Sequence, residues 1–119
     1  MKRAFLENFI KEKYDIPPEF PWIKHPKFAV YRHGENRKWF AVIMEIKKEK
    51  IGINEEGNIN VVNFKCDPLL IVNLINDNGI HRGYHMNKNY WITVCLDGSV
   101  EEEKIKWLLG ISYELTFNR

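Results

Sequence analysis

The sequence contains few of the patterns from which a chemical activity is recognised. It has only two cysteines, Cys66 and Cys95, which lie 29 positions apart without a CxxC pair or a histidine at metal-ligand spacing. This argues against the common zinc sites and a secreted disulfide framework, and it predicts two buried, reduced thiols. A thiol catalyst built on Cys66 is the alternative, although a cysteine between a strand end and a helix cap is usually buried.

Long apolar runs are also missing. No stretch approaches the roughly 18 consecutive apolar residues that a membrane-spanning helix needs. The basic start of the chain is followed by charged residues at positions 7 and 11–13, which interrupt the apolar region of a secretory signal. The sequence therefore predicts a cytoplasmic protein with no membrane partner.

No catalytic or nucleotide-binding motif is present either. The glycines at 79 and 83 lack the strand-to-helix setting of a dinucleotide fingerprint and the Lys-Ser/Thr of a phosphate loop, and no nucleophile elbow or kinase signature occurs. His81 and His85 are four positions apart, but in a glycine-flanked, extended segment they lie about 13 Å apart, too far to share an ion. We therefore predict a non-enzymatic protein with no metal and no cofactor.

What remains is an ordinary globular composition, with 45% hydrophobic and 29% charged residues. A chain of 119 residues fits one domain with one core, so we predict a single domain over residues 1–119 and a monomer. The net charge is +2, but residues 1–50 carry 12 Lys and Arg against 7 Asp and Glu, whereas residues 51–119 carry 6 against 9. This imbalance suits an anionic partner on one face.

The hydrophobic pattern predicts an α+β domain with the element order α-β-β-β-α-β-β-α. In this two-layer fold, N-terminal, middle and C-terminal helices pack on a mostly antiparallel sheet of about five strands. The first helix is predicted at 3–14 and the middle helix at 69–76. The clearest strands are predicted at 28–32, 39–46, 59–65 and 90–96.

Local capping signals refine the ends of these helices. Asp67 followed by Pro68 is a favourable start for the middle helix, and Gly79 is predicted to close it in the left-handed conformation. Ser99 and Glu102 have the spacing of a capping box at the start of the last helix. An inward stripe on that helix is predicted at positions 105, 108, 109, 112 and 115.

The segment 79–94 contains no acidic residue and places aromatic, basic and amide side chains around two glycines. Nucleic-acid binding uses these groups: cations for phosphates, amides and guanidinium for base edges, and aromatic rings for stacking. A hairpin in this segment is predicted to lie along a DNA groove as a wing, with the first hairpin as a second basic tip. The candidate residues are Arg32, Arg37, Lys38, Arg82, Tyr84, His85, Asn87 and Lys88.

A purely structural interpretation of the same segment stays open. Tyr84, Met86 and Trp91 are also typical of half-buried strand residues, and Asn87 is typical of a turn. In that interpretation Trp91 packs the sheet against Tyr113. The segment would then stabilise the fold without contacting a partner.

Several blocks of the sequence resemble the MmcQ/YjbR-like family of bacterial proteins. They lie in order along most of the chain: FAVYRHG at 28–34 with KWFA at 38–41, NFKCDP at 63–68, GYHMNK at 83–88 with Trp91 and 93–94, LDG at 96–98, and SYEL at 112–115. The chain departs from the family pattern at Tyr90, where a histidine is usual, and at Arg82, where a proline is frequent. Neither departure alters the overall match.

The resemblance implies a compact α+β fold similar to CyaY-like and secretion-chaperone-like domains, together with DNA binding of the kind labelled "double wing". It implies no catalytic residue and no cofactor. It adds Lys65, Asp67 and Tyr113 to residues 83–91 as a candidate functional patch.

The alternative function is a protein- or peptide-binding module that uses the exposed sheet and the 81–90 hairpin, around Tyr84, Met86 and Tyr90. Folds similar to CyaY offer a sheet face or an acidic ridge to a protein or a metal, and secretion-chaperone-like folds offer a sheet to a peptide. A continuous positive stripe would favour DNA, whereas a contiguous apolar patch would favour a protein partner.

Overall fold

A five-stranded antiparallel sheet forms the centre of the protein, and three helices contribute to the core on one of its faces. The computed structural model describes residues 1–117. The helices are α1 (Arg3–Tyr14), α2 (Pro68–Leu74) and α3 (Glu102–Phe117), and the strands are β1 (Ala29–Arg32), β2 (Trp39–Lys47), β3 (Asn58–Lys65), β4 (Ile80–Arg82) and β5 (Trp91–Cys95). A short 3-10 helix, Lys48–Ile51, follows β2. The predicted α+β class and element order are confirmed.

The strand order across the sheet is β1-β2-β3-β5-β4, and all neighbours are antiparallel. Lys65 at the end of β3 is paired with Trp91 at the start of β5. The connection from β1 to β2, the end of β3 and the connection from β4 to β5 therefore meet at one end of the sheet. We call residues 33–38 the first tip and residues 83–90 the second tip.

Alternation along the strands gives the sheet two apolar faces. The first face carries Phe40, Phe64 and Ile92 and packs against side chains of all three helices, such as Leu6 and Leu108. The second face is covered by loops instead of helices. Its strand residues include Val30, Val42, Met44 and Val61, and the loop residues packed on them include Trp22, Phe28 and Tyr84.

The start of α2 follows the prediction, but the end of α2 does not. Asp67 is the N-cap and its Oδ1 accepts a hydrogen bond from the Leu69 N–H at 2.8 Å. The helix ends at Leu74, so Gly79 is not its C-cap. Gly79 does have a positive φ of 89°, but in the turn before β4, where an added Cβ would overlap the Ser99 hydroxyl.

The predicted capping box of α3 is wrong. The helix begins at Glu102, and the Ser99 hydroxyl instead donates to Asp97 Oδ1 at 2.6 Å. The predicted inward stripe is confirmed at its first four positions, but Leu115 is exposed and Thr116 is buried in its place. None of the helices among residues 1–117 is long and apolar enough to cross a membrane.

Trp91 and Tyr113 lie on opposite faces of the sheet, so the predicted contact between them is wrong. Ile92 belongs to the helix-packed face, which places the preceding Trp91 on the second face. Tyr113 on α3 stacks on the ring of Tyr14 at 4.0 Å between centroids. The tyrosine therefore joins α3 to α1 and has no part in the second face.

His33, at the base of the first tip, is buried on the helix side of the sheet. Its Nε2 lies 2.8 Å from Thr116 Oγ1, and the rings of Phe40 and Tyr113 are centred 5.0 and 4.5 Å from the imidazole. Burial lowers the pKa of His33 below its usual value. The folded protein therefore favours the neutral imidazole.

This environment makes stability depend on pH. Because the unfolded chain binds a proton at His33 more readily than the folded chain does, the free energy of unfolding is expected to fall as the pH drops below about 6.5. Burial also lowers the pKa of His81, which adds to the same fall. His33→Gln keeps a polar partner for Thr116 but does not titrate, so it should weaken the pH dependence.

Urea denaturation at pH 7.5 and pH 5 measures this difference. The matched comparison is His25→Gln, because His25 is exposed and lies outside the helix-side core that encloses His33. A pH dependence that is the same in His33→Gln and in the wild type would contradict the assignment.

Candidate functional site

The base of the first tip is fixed by an ion pair. Arg32 Nε and Nη2 donate to the Glu19 carboxylate at 3.0 and 2.6 Å, and Arg37 Nη2 lies 3.7 Å from the same group. The hydrogen bond from Arg32 is the main reason that the pKa of Glu19 is lowered. The charge of Arg32 is thus already balanced by Glu19.

The end of the first tip presents Arg37 and Lys38 to solvent. Arg37 has a positive φ of 63°, and its side chain is 60% exposed. The Lys38 N–H donates to Asn36 Oδ1 at 2.9 Å, and Asn36 Nδ2 donates to the Thr116 carbonyl at 2.7 Å. The tip is therefore anchored to the end of α3 while both cationic side chains stay accessible.

The second tip is held by hydrogen bonds within itself. Arg82 Nη1 donates to the Lys88 carbonyl at 3.1 Å, and Lys88 Nζ donates to the Gly83 carbonyl at 2.9 Å. Asn87 Oδ1 accepts from the Asn89 N–H at 2.9 Å. Asn87 thus stabilises the turn. Carbonyl partners do not neutralise a cation, and both cations keep further N–H donors for a partner.

A polar network attaches the second tip to the sheet. Asn63 and Thr93 face each other on β3 and β5, and Thr93 Oγ1 donates to Asn63 Oδ1 at 2.6 Å. Thr93 Oγ1 also accepts from the Tyr84 N–H at 2.8 Å, and Asn63 Nδ2 donates to the Tyr84 carbonyl at 2.8 Å. Both polar groups of the Tyr84 backbone are therefore bound by the sheet. The sequence prediction gave Asn63 and Thr93 no role at the site.

Lys65 lies at the end of the central strand, between the two tips. Its Nζ is 5.6 Å from the centre of the Tyr90 ring and 5.5 Å from that of Trp91, a cation–π arrangement. Of the other patch residues, Asp67 is used as the N-cap of α2 and Tyr113 packs against Tyr14 on the helix side. The structure therefore places Lys65 between the tips, whereas Tyr113 lies on the helix side, where its ring contacts His33 of the first tip.

A pocket of about 430 Å³ lies on the second face, between the loop of residues 22–28 and the second tip. Its floor comes from β2 and β3, and its walls come from the two loops. His85, with a positive φ of 60°, and Met86 are the contributions of the second tip. The lining residues are Trp22, His25, Phe28, Trp39, Val42, Met44, Asn63, His85 and Met86.

Neither metal nor thiol chemistry is supported by the positions of the titratable side chains. Within residues 1–117, no group of three or more His, Cys, Asp or Glu side chains is placed to hold a metal ion. Cys66 and Cys95 are free and buried, and burial raises the pKa of each thiol to about 11. This confirms the prediction of two buried, reduced thiols.

The family model that describes YjbR matches residues 11–115 of the chain. The chain belongs to the YjbR family. The Bacillus subtilis (strain 168) protein YyaQ is 40% identical over 116 residues, which cover 98% of each chain. The predicted family is therefore confirmed.

Solved structures share the fold of this YjbR domain. A crystal structure of a Pseudomonas syringae protein is 42% identical, with a TM-score of 0.96 and coverage of 98% of this chain and 99% of that one. A Deinococcus radiodurans protein with a DUF419 domain is 24% identical, with a TM-score of 0.70 over 96% of this chain and 79% of that one. The second likeness shows the fold alone.

Two of the sequence blocks that resemble the family meet around the second tip. The block 63–68 supplies Asn63 and Lys65, and the block that begins at Gly83 supplies Tyr84 and Thr93. These blocks are joined by the hydrogen bonds of the Asn63–Thr93–Tyr84 network. These two blocks therefore include the residues that attach the second tip to the sheet.

Proposed function

We propose that this YjbR domain is a monomeric, non-enzymatic DNA-binding domain whose two tips contact the phosphate backbones on either side of a groove. The observation that carries the proposal is that the two hairpins flanking β3 present their tips at the same end of the sheet. Three strand spacings separate the hairpin centres, which is about 14 Å. The major groove of B-DNA is about 12 Å wide, so tips at this separation match the two backbones that border it.

The cations at this end of the sheet supply the phosphate contacts. Arg37 and Lys38 belong to the first tip, Lys65 lies between the tips, Lys88 belongs to the second tip, and Arg82 ends β4 beside it. The hydrogen bonds of Arg82 and Lys88 to backbone carbonyls hold these two side chains in place before DNA binds, which reduces the entropy lost on binding.

The other candidates have different roles in this proposal. Arg32 positions the first tip through its ion pair with Glu19, and Asn87 supports the turn of the second tip. His85 is exposed and Tyr84 is half-buried beside it, with ring centroids 4.2 Å apart. These two side chains remain the candidates for contact with bases.

The non-enzymatic part of the proposal is supported by the state of the potential catalytic groups. With pKa values near 11, the thiols of Cys66 and Cys95 supply almost no thiolate at neutral pH. His33 is enclosed by aromatic rings and bound to Thr116. All three of these side chains are buried.

Lys38→Ala tests the contact of the first tip. Lys38 is exposed, and the loss of one phosphate contact should reduce the slope of log Kd against log salt concentration by about one. Fluorescence anisotropy of a labelled duplex between about 50 and 200 mM salt measures this slope. Lys88→Ala should reduce it by about one as well.

The matched control is Lys47→Ala, because Lys47 is also exposed but lies at the end of β2 opposite to Lys38. Its slope should equal that of the wild type. A slope that is unchanged in Lys38→Ala, or the absence of any duplex binding at about 50 mM salt, would contradict the proposal.

A second candidate, a protein- or peptide-binding module, is favoured by apolar side chains on the loops that cover the second face. Ile23 is 97% exposed and Tyr90 is 46% exposed. Tyr84, in contrast, packs into the cluster of the second face and is not free to form a patch with Met86 and Tyr90. A partner that is recovered from lysate equally well after nuclease treatment would favour this candidate over DNA binding.

A further inference from the structure

We propose that the pocket on the second face binds a nucleobase, either of a free nucleotide or of an unpaired position in a single strand. This inference does not depend on duplex binding by the tips, because the phosphate contacts of the tips use other side chains and His85 alone is shared by the two proposals. The pocket volume of about 430 Å³ is within the range of small-molecule sites. Its two walls come from loops that are far apart in the chain, so the fold itself creates the cavity.

Aromatic rings form a large part of the pocket lining. Trp22 packs edge-to-face against Phe28 and against Trp39, with centroid distances of 6.0 and 5.6 Å and interplanar angles of 78° and 85°. Met44 and Met86 complete the apolar lining. Rings and thioethers of this kind bind flat aromatic ligands.

Polar groups in the same pocket distinguish a heterocycle from a hydrocarbon. Asn63 belongs to the lining but is fully buried, with its Nδ2 bonded to the Tyr84 carbonyl. His25 and His85 are exposed, which places them at the mouth of the pocket. A hydrocarbon ligand would leave these donors without partners, whereas ring nitrogens and carbonyls of a nucleobase accept hydrogen bonds from them.

The charges around the pocket favour a neutral ring that carries an anionic group. No Asp, Glu, Lys or Arg side chain lines the pocket. Aromatic rings can bind a cation through their faces, but a cationic ligand would find no acidic side chain here to balance its charge. Lys24 and Lys27, next to His25 and Phe28 in the chain, are exposed. A phosphate attached to the bound base would meet this basic loop.

The backbone of His85 supplies the sharpest test. A non-glycine residue at φ 60° is in a sparsely populated conformation that glycine adopts freely. His85→Gly therefore preserves the backbone of the second tip while it removes the imidazole from the pocket. We expect it to keep or increase stability and to weaken ligand binding roughly tenfold, as expected for one lost hydrogen bond.

The matched control is Asp15→Gly. Asp15 also has a left-handed backbone, with φ 53°, but it lies at the end of α1, outside the pocket. The probe is adenosine monophosphate, titrated by calorimetry and by NMR with the side-chain amide signals of Asn63 as the local reporter. Asp15→Gly should bind the probe as the wild type does.

A single strand of ten deoxyadenosines distinguishes the two sources of the base. If the mononucleotide shifts the Asn63 amide signals and His85→Gly weakens this binding, the pocket takes a free nucleotide. If only the single strand shifts the Asn63 amide signals, and His85→Gly weakens its binding, the pocket takes an unpaired base of a strand. A fully paired duplex that binds the tips should leave the ring signals of Trp22, a pocket residue outside both tips, unmoved. The proposal is overturned if neither probe shifts them at about 5 mM, or if His85→Gly binds as tightly as the wild type.

Discussion

Replacing Thr93 by valine is expected to lower the free energy of unfolding by about 2 to 6 kcal/mol. The Thr93 hydroxyl donates to Asn63 Oδ1 and accepts from the Tyr84 N–H, and valine has a similar shape but neither function. Two polar groups in the protein would lose their partner, at about 1–3 kcal/mol for each one that is buried. Urea denaturation of the wild type and of Thr93→Val measures the difference.

The network assignment also predicts non-additivity. Asn63→Leu removes the other side chain that holds Tyr84, so the double variant Asn63→Leu, Thr93→Val should cost less than the sum of the two single variants. Hydrogen exchange of the Tyr84 amide should be faster in Thr93→Val. An amide that exchanges as slowly as in the wild type would show that the network does not hold the second tip.

Replacing Gly83 by alanine is expected to destabilise the protein by about 1–3 kcal/mol, which is the usual cost of overpacking. An ideal Cβ at this position lies 2.8 Å from Trp91 Cβ and 3.0 Å from the Trp91 carbonyl oxygen. The neighbouring atoms are rigid, since the Gly83 N–H is itself bonded to that carbonyl at 2.8 Å. A shift in the urea midpoint measures this loss.

Gly34 in the first tip provides the control for this substitution. An added Cβ at Gly34 meets nothing within 4 Å, so Gly34→Ala should change stability by no more than about 0.5 kcal/mol. If both alanine variants lose the same free energy of unfolding, the loss in Gly83→Ala does not come from the close approach of Gly83 to Trp91.

The helices and strands were predictable because their signals are local. The bounds of α1 agree with the prediction from its three-four apolar spacing, and most strand ends agree within one residue. The N-cap at Asp67 was also predictable, because the bond from the Leu69 N–H spans only two positions. Information within a few residues was enough for these elements.

The capping box failed because another local bond competes with it. Asp97 Oδ1 accepts from both the Ser99 N–H and the Ser99 hydroxyl, which stabilises a turn before the helix. The sequence contains both possibilities, Asp97 two positions before Ser99 and Glu102 three positions after it. Which bond forms depends on the path of the chain between the end of β5 and the start of α3.

The site was predictable in part. The two basic tips follow from their composition, but Glu19 and Trp22 lie in a proline-rich loop that carries no periodic signal. Their contacts with Arg32 and Trp39 depend on how this loop folds over the sheet. Asn63 is likewise one polar residue within a strand, and only the pairing of β3 with β5 places it beside Thr93. The pocket therefore could not be predicted from the sequence.

The most direct test of the central claim is an NMR titration of the isotope-labelled protein with duplex DNA at about 50 mM salt. DNA binding by the tips predicts that the backbone amide signals of residues 33–38 and 83–90, together with Lys65, shift most. The signals at the opposite end of the sheet, at residues 47–58, should stay in place, and the shifts should reverse as salt is added. The absence of shifts, or shifts confined to residues outside the two tips, would contradict the account.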